Sequence, residues 1–119
     1  MPGSDMVNQI TGKDYVVQRD RHTVTFQGEL ALGGPHEYAP INELLMQAAK
    51  GNTDLITLDF RRLSFLNSSG ISMLCKFVLS LRQKQDMQLA ILGSHDIPWQ
   101  GKSLRNLQKF LPRLKLELE

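Results

Sequence analysis

Residues 55–71 constrain the fold more than any other part of the 119-residue chain. They open with an apolar strand pattern at 55–60, in which Ile56, Leu58 and Phe60 would share one face. A basic turn and a second apolar group at 63–66 follow, and the polar run 67–70 then begins a long helical pattern. Strand, polar turn and helix in direct succession favour a sheet covered by helices.

The remaining elements extend this pattern along the chain. Short β-branched runs at 15–17 and 23–27 predict a hairpin, and Ile41, Leu44 and Leu45 have the spacing of a helix that reaches about residue 50. Further strands are predicted at 87–92 and 114–118, and further helices at 69–85 and 102–111. The order predicts a single α/β domain with a mixed sheet of about four to five strands and about three to four helices. Residues 1–12 are expected to form a flexible lead, and 13–119 the domain.

The helix that begins at about residue 69 has an unusually wide apolar arc. Helical spacing predicts a core stripe made of Ile71, Leu74, Cys75, Val78 and Leu79. Met73 and Phe77 extend the arc beyond that stripe. They either bury against a neighbouring helix or form an exposed protein-docking patch beside the serines.

The run Asn67-Ser68-Ser69-Gly70 is the strongest candidate site. Asn and Ser are preferred helix caps, because their side-chain oxygens accept from the free amides of the first turn. The purely structural interpretation is therefore a helix cap with a tight turn. Those amides and the helix dipole also favour an anion, so a phosphoacceptor serine is the functional alternative. A nucleophilic serine is not indicated, because the run is not a Gly-x-Ser-x-Gly elbow and no acid–histidine pair accompanies it.

Several function classes are disfavoured by what the chain contains. No apolar stretch approaches the ~20 residues of a membrane span, and the single cysteine, Cys75, suits a reducing, cytoplasmic compartment. The dispersed histidines His22, His36 and His95 lack metal-ligand spacing, so no metal or cofactor is expected. The C-terminal half is rich in basic residues but carries few aromatic residues and no nucleic-acid motif, so no nucleic-acid partner is expected. Trp99 is expected to be a packing anchor.

Two segments resemble a known family. Leu58-Asp59-Phe60, followed by the run from Leu63 to Ile71, resembles the signature of STAS domains, the anti-sigma-factor-antagonist family. Residues 26–30, Phe-Gln-Gly-Glu-Leu, are similar to that family's early strand, and the element order agrees over roughly residues 15–118. Residues 98–104, Pro-Trp-Gln-Gly-Lys-Ser-Leu, are similar to a segment of small stand-alone bacterial STAS-like proteins.

The resemblance implies a non-enzymatic partner-switching regulator. Its partners would be a serine kinase that also acts as an anti-sigma factor, and a phosphatase. The phosphoacceptor would be Ser68, with Ser69 as the alternate. In the family an acidic residue precedes that serine, and here the position is Asn67, which removes a negative charge. The docking surface would comprise Asn67, Ser68, Ser69, Gly70, Met73 and Phe77. The alternative from the residues themselves is a small-ligand module, in which the helix start and the loop 94–103 cradle a nucleotide or another anion.

Overall fold

The computed structural model describes residues 8–50 and 54–119. The strands are β1 (Gln9–Thr11), β2 (Tyr15–Asp20), β3 (Thr23–Leu30), β4 (Leu55–Leu66), β5 (Gln88–Gly93) and β6 (Lys115–Leu118). The helices are α1 (Pro35–Ala48), α2 (Ser68–Ser80) and α3 (Gln100–Phe110), with a 3₁₀ turn, Leu81–Gln83, at the end of α2.

These strands form one mixed sheet in sequential order. The β1–β2 and β2–β3 pairs are antiparallel, and each later pair, from β3–β4 to β5–β6, is parallel. A helix makes each parallel connection, and right-handed crossovers place all three helices on one face. On β4 that face buries Ile56 and Leu58 completely, whereas Leu55 on the opposite face is 47% exposed. The predicted α/β mixed sheet is confirmed, and its six strands exceed the number expected.

The extra strand lies where a flexible lead was expected. Residues 9–11, placed in that lead, form β1, and Ile10 pairs with Val17 of β2. Ile10 also packs against the core, which fixes this short strand to the sheet. A three-residue strand is too short to show a period in the sequence. Residues 1–7 of the predicted lead lie outside the described residues.

Strand β4 is longer than the sequence pattern indicated, because the expected basic turn is part of the strand. Thr25 pairs with Asp59 but Gln27 pairs with Arg62, so β4 carries an extra residue there. A second register shift follows at 28–29 of β3. These bulges bend the strand and break its alternation. The buried residues of its second half are consequently three apart: Phe60, Leu63 and Leu66.

On its β5 side, the second half of β4 is held by residues at the start of α3, because its pairing with β5 covers only residues 55–59. The side chain of Gln100, which is 0% exposed, donates to the carbonyls of Phe60 (2.6 Å) and Leu63 (3.0 Å). The indole N–H of Trp99 also donates to Leu63 (2.9 Å), and its ring meets Phe60 edge-on. Trp99 is therefore the packing anchor that was predicted. Together with Gln100 it fixes the strand end from which α2 begins.

None of the helices in the described ranges combines the length and apolarity needed to cross a membrane. Within the same ranges, no group of three or more His, Cys, Asp and Glu side chains is arranged to hold a metal ion.

Candidate functional site

Asn67 joins β4 to α2 and is the cap of that helix. Its backbone is extended (φ −80°, ψ 174°), and its side-chain oxygen accepts from the Gly70 amide at 3.0 Å. Its carbonyl begins the helical ladder by accepting from Ile71 at 3.0 Å, while its own amide donates to Leu30 of β3 at 3.1 Å. The predicted cap is confirmed, and it ties the helix start to the sheet.

The Asn67 side chain also makes two contacts that the sequence did not indicate. The Tyr38 hydroxyl of α1 donates to its Oδ1 at 2.6 Å, and its Nδ2 donates to the Leu32 carbonyl at 2.8 Å. Tyr38 is 1% exposed, and burial raises the pKa of its hydroxyl, which stays protonated and able to donate. The start of α2 is thus fixed to α1 and to the loop before α1.

Gly70 is needed where α2 passes closest to its neighbours. A Cβ at this position would lie 2.7 Å from the Tyr38 hydroxyl and would overlap the side chain of Leu66. Because Gly70 has no side chain, the first turn of α2 can lie directly over the hydrogen bond between Tyr38 and Asn67.

The two serines differ in their surroundings. Ser68 is the first residue of α2 and is exposed, whereas Ser69 is half-buried and faces α1. The first turn contains no acidic residue, so the positive end of the helix dipole is not neutralised there. Ser68 is therefore the more exposed of the two serines, at a helix start where an added negative charge is favoured.

A groove of about 220 Å³ lies between α1 and α2 and extends from Ser69 to Lys76. We call it the α1–α2 groove. It is lined by residues of both helices, among them Tyr38, Ala39, Asn42, Ser69, Met73 and Lys76.

Met73 and Phe77 do not form the exposed docking patch that was one reading of the sequence. Phe77 is 1% exposed, and Met73 is 7% exposed at the floor of the α1–α2 groove. The reason is that α2 is the central helix and contacts both α1 and α3. Its buried arc is therefore rotated towards α1, and Leu79 of the predicted core stripe is 38% exposed. The other reading, burial against a neighbouring helix, is confirmed for Met73, which lies between α1 and α2.

The loop 94–103 does not contribute to the α1–α2 groove. The α1–α2 groove beside Ser69 is lined by α1 rather than by this loop. Its polar groups serve the fold: the Gln100 side chain accepts from the Ser94 amide at 2.7 Å, and the Ser94 hydroxyl accepts from the Asp96 amide at 3.1 Å. The nucleotide-binding alternative stays a prediction.

Three residues of this site escaped the sequence-based analysis, namely Tyr38, Asn42 and Lys76. Their one available signal was helical spacing: Tyr38 and Asn42 are four apart on α1, and Lys76 follows Ser72 by four on α2. Spacing shows which residues share a face but not which helix that face meets.

A six-stranded mixed sheet with three crossover helices, and a capped serine pair at the start of the central one, defines a STAS-like fold. Comparison with solved structures supports this assignment. SiaC of Pseudomonas aeruginosa superposes with a TM-score of 0.68 at 15% identity, over 93% of this chain and 97% of that chain. A chain in the crystal structure of the diguanylate cyclase SiaD in complex with its activator SiaC, from the same organism, gives a TM-score of 0.71 at 14% identity, over 92% and 96%. No family model and no curated protein sequence matches the chain. At such identities the likeness shows the fold.

Proposed function

We propose that the chain is a non-enzymatic cytoplasmic regulator that binds a partner protein through the start of α2 and is switched by phosphorylation of Ser68. The observation that carries this proposal is the exposed Ser68 hydroxyl on a helix start fixed by Asn67, Tyr38 and Leu32. Its STAS-like fold adds support, because SiaC, which shares the fold, is the activator of another protein.

The partners of such a switch fall into two groups. A serine kinase and a phosphatase would add and remove the phosphate, and a third protein would be regulated. Two kinds of regulated protein are candidates. The first is the kinase itself, because in the STAS family the kinase is also the anti-sigma factor. The second is a signalling enzyme, because SiaC is the activator of a diguanylate cyclase.

Phosphorylation would change the surface rather than melt the fold. A phosphate on Ser68 adds a charge of about −1.5 to −2 at pH 7. At the first position of α2 the helix dipole stabilises that charge by about 0.3–1 kcal/mol. Thermal stability should therefore be kept or slightly raised, while the electrostatic potential of the docking surface reverses.

Incubation with the cognate kinase and ATP, followed by intact mass and peptide mapping, tests the switch. Ser69→Ala is the matched control, because it removes the neighbouring hydroxyl and leaves Ser68 in place. Wild type and Ser69→Ala should each gain one phosphate, and Ser68→Ala should gain none. A phosphate on Ser69, or no phosphate on wild type, would refute the assignment of Ser68.

A further inference from the structure

The α1–α2 groove has an apolar floor and a polar rim. Tyr38 and Met73 form the floor, and Ala39 is exposed on the α1 wall. Ser69 lies at one end, and the exposed ammonium of Lys76 lies about two turns, or ~10 Å, further along α2. The groove therefore offers an apolar slot with a cation beside it.

The size of the slot argues against a small-molecule ligand. Pockets for such ligands usually enclose about 300–1,000 Å³, and this one encloses about 220 Å³. A volume of this size accommodates one large apolar side chain from a protein. Both walls are helices, whose backbone groups bond within the helix, so an added strand would find no edge to pair with.

The charge of the groove selects the occupant. Lys76 is in no ion pair within the described part of the chain, and no Asp or Glu lines the groove. An occupant with a carboxylate would satisfy the ammonium, and a basic one would be repelled. Lys76 follows Met73 by three positions, about 4.5 Å along the helix axis, which matches residues three or four apart on a second helix.

We infer that the α1–α2 groove takes an acidic amphipathic helix of the partner, with one apolar side chain between Ala39 and Met73 and a carboxylate on Lys76. The inference rests on the proposed function for the existence of a partner and adds its chemistry. It also predicts whether phosphorylation strengthens or weakens docking. A phosphate on Ser68, beside the Ser69 end of the groove, repels an acidic helix, so phosphorylation weakens docking.

An unbiased display library of helix-forming peptides tests the inference directly. Selection on wild-type protein should enrich peptides with a large apolar residue and an Asp or Glu three or four positions away. Lys76→Glu should reverse the preference to Lys or Arg at that position. The best acidic peptide, measured by fluorescence anisotropy, should bind Lys76→Glu about tenfold more weakly than wild type, and high salt should weaken its binding to wild type. Lys109→Glu, an exposed charge reversal on α3, is the matched control and should keep wild-type preferences.

A second variant fills the slot without altering charge. Ala39→Phe lies on the exposed wall and should keep the thermal midpoint of wild type while losing the enriched peptides. No enriched peptide on wild type, no acidic bias, or equal binding to Lys76→Glu would overturn the inference. Phosphorylation of Ser68 is scored separately by mass. If Ser68 is phosphorylated but the groove shows no preference for acidic peptides, only this inference is refuted. If the groove prefers acidic peptides but Ser68 is not phosphorylated, only the phosphorylation switch is refuted.

Discussion

Substitution of Asn67 by alanine removes three side-chain hydrogen bonds at the start of α2. Loss of a helix cap costs typically about 1 kcal/mol, and loss of the bond to the Leu32 carbonyl costs about 1 kcal/mol more. The Tyr38 hydroxyl, 1% exposed, also loses its acceptor, which adds about 1–3 kcal/mol. The expected decrease in the free energy of unfolding is about 4 kcal/mol.

The companion substitution Tyr38→Phe has a smaller cost. It removes the hydroxyl and with it the long 3.4 Å bond from the Leu32 amide, but Asn67 Oδ1 still accepts from the Gly70 amide. The expected loss is about 1 kcal/mol. In the double variant no buried hydroxyl is left without an acceptor. The free energy of unfolding should therefore fall by about 3 kcal/mol, rather than by about 5 kcal/mol, the sum of the two single losses.

The coupling energy of about 2 kcal/mol is the quantity to measure. Urea titrations of the four proteins, monitored by circular dichroism, give the free energies of unfolding. Asn67→Ser is the control, because it keeps a capping oxygen but cannot reproduce the amide donor to Leu32, and it should lose about 1–2 kcal/mol. Additive single and double losses would show that Tyr38 and Asn67 are energetically independent, and the account of a coupled helix start would be wrong.

Three further outcomes follow from other parts of the fold. Gly70→Ala should lower the free energy of unfolding by about 1–3 kcal/mol in urea, because the added Cβ meets Leu66 and the clash outweighs the gain in helix propensity. Gln100→Leu should cost about 3 kcal/mol by the same assay, since it leaves a strand carbonyl and a loop amide without partners. The hydrogen bond from Arg61 holds the pKa of Asp59 below its ordinary 3.8. The stability that this pair contributes is therefore present above about pH 3.8 and is lost as the pH falls through the lowered pKa. In urea titrations across this range, the free energy of unfolding should fall more steeply with decreasing pH for wild type than for Asp59→Asn.

Local sequence patterns were enough to predict the fold class and the cap. Strand and helix periods depend on neighbouring residues, so the alternation at 55–60 and the polar run at 67–70 correctly predicted the first half of β4 and the start of α2. The packing role of Trp99 was also foreseen, because a large ring in a turn before a helix usually covers the core.

The features of the structure that the sequence did not predict depend on residues far apart in the chain. Tyr38 and Asn67 are separated by 29 positions, and nothing in either local pattern indicates their bond. The burial of Met73 depends on α1 lying beside α2, which helical spacing within α2 does not determine. The continuity of β4 was missed because a bulge removes the alternation by which a strand is recognised.

The amide at position 67 explains why this chain departs from the acidic residue of the STAS pattern. Asn67 accepts from Tyr38 and Gly70 and at the same time donates to the Leu32 carbonyl, and an ionised Asp has no N–H with which to donate. A carboxylate would also face the Leu32 carbonyl at the present 2.8 Å. Because the amide is neutral and the first turn of α2 holds no acidic residue, a phosphate would be the first negative charge in that turn. Asn67 thus fixes the geometry of the helix start without adding a charge to it.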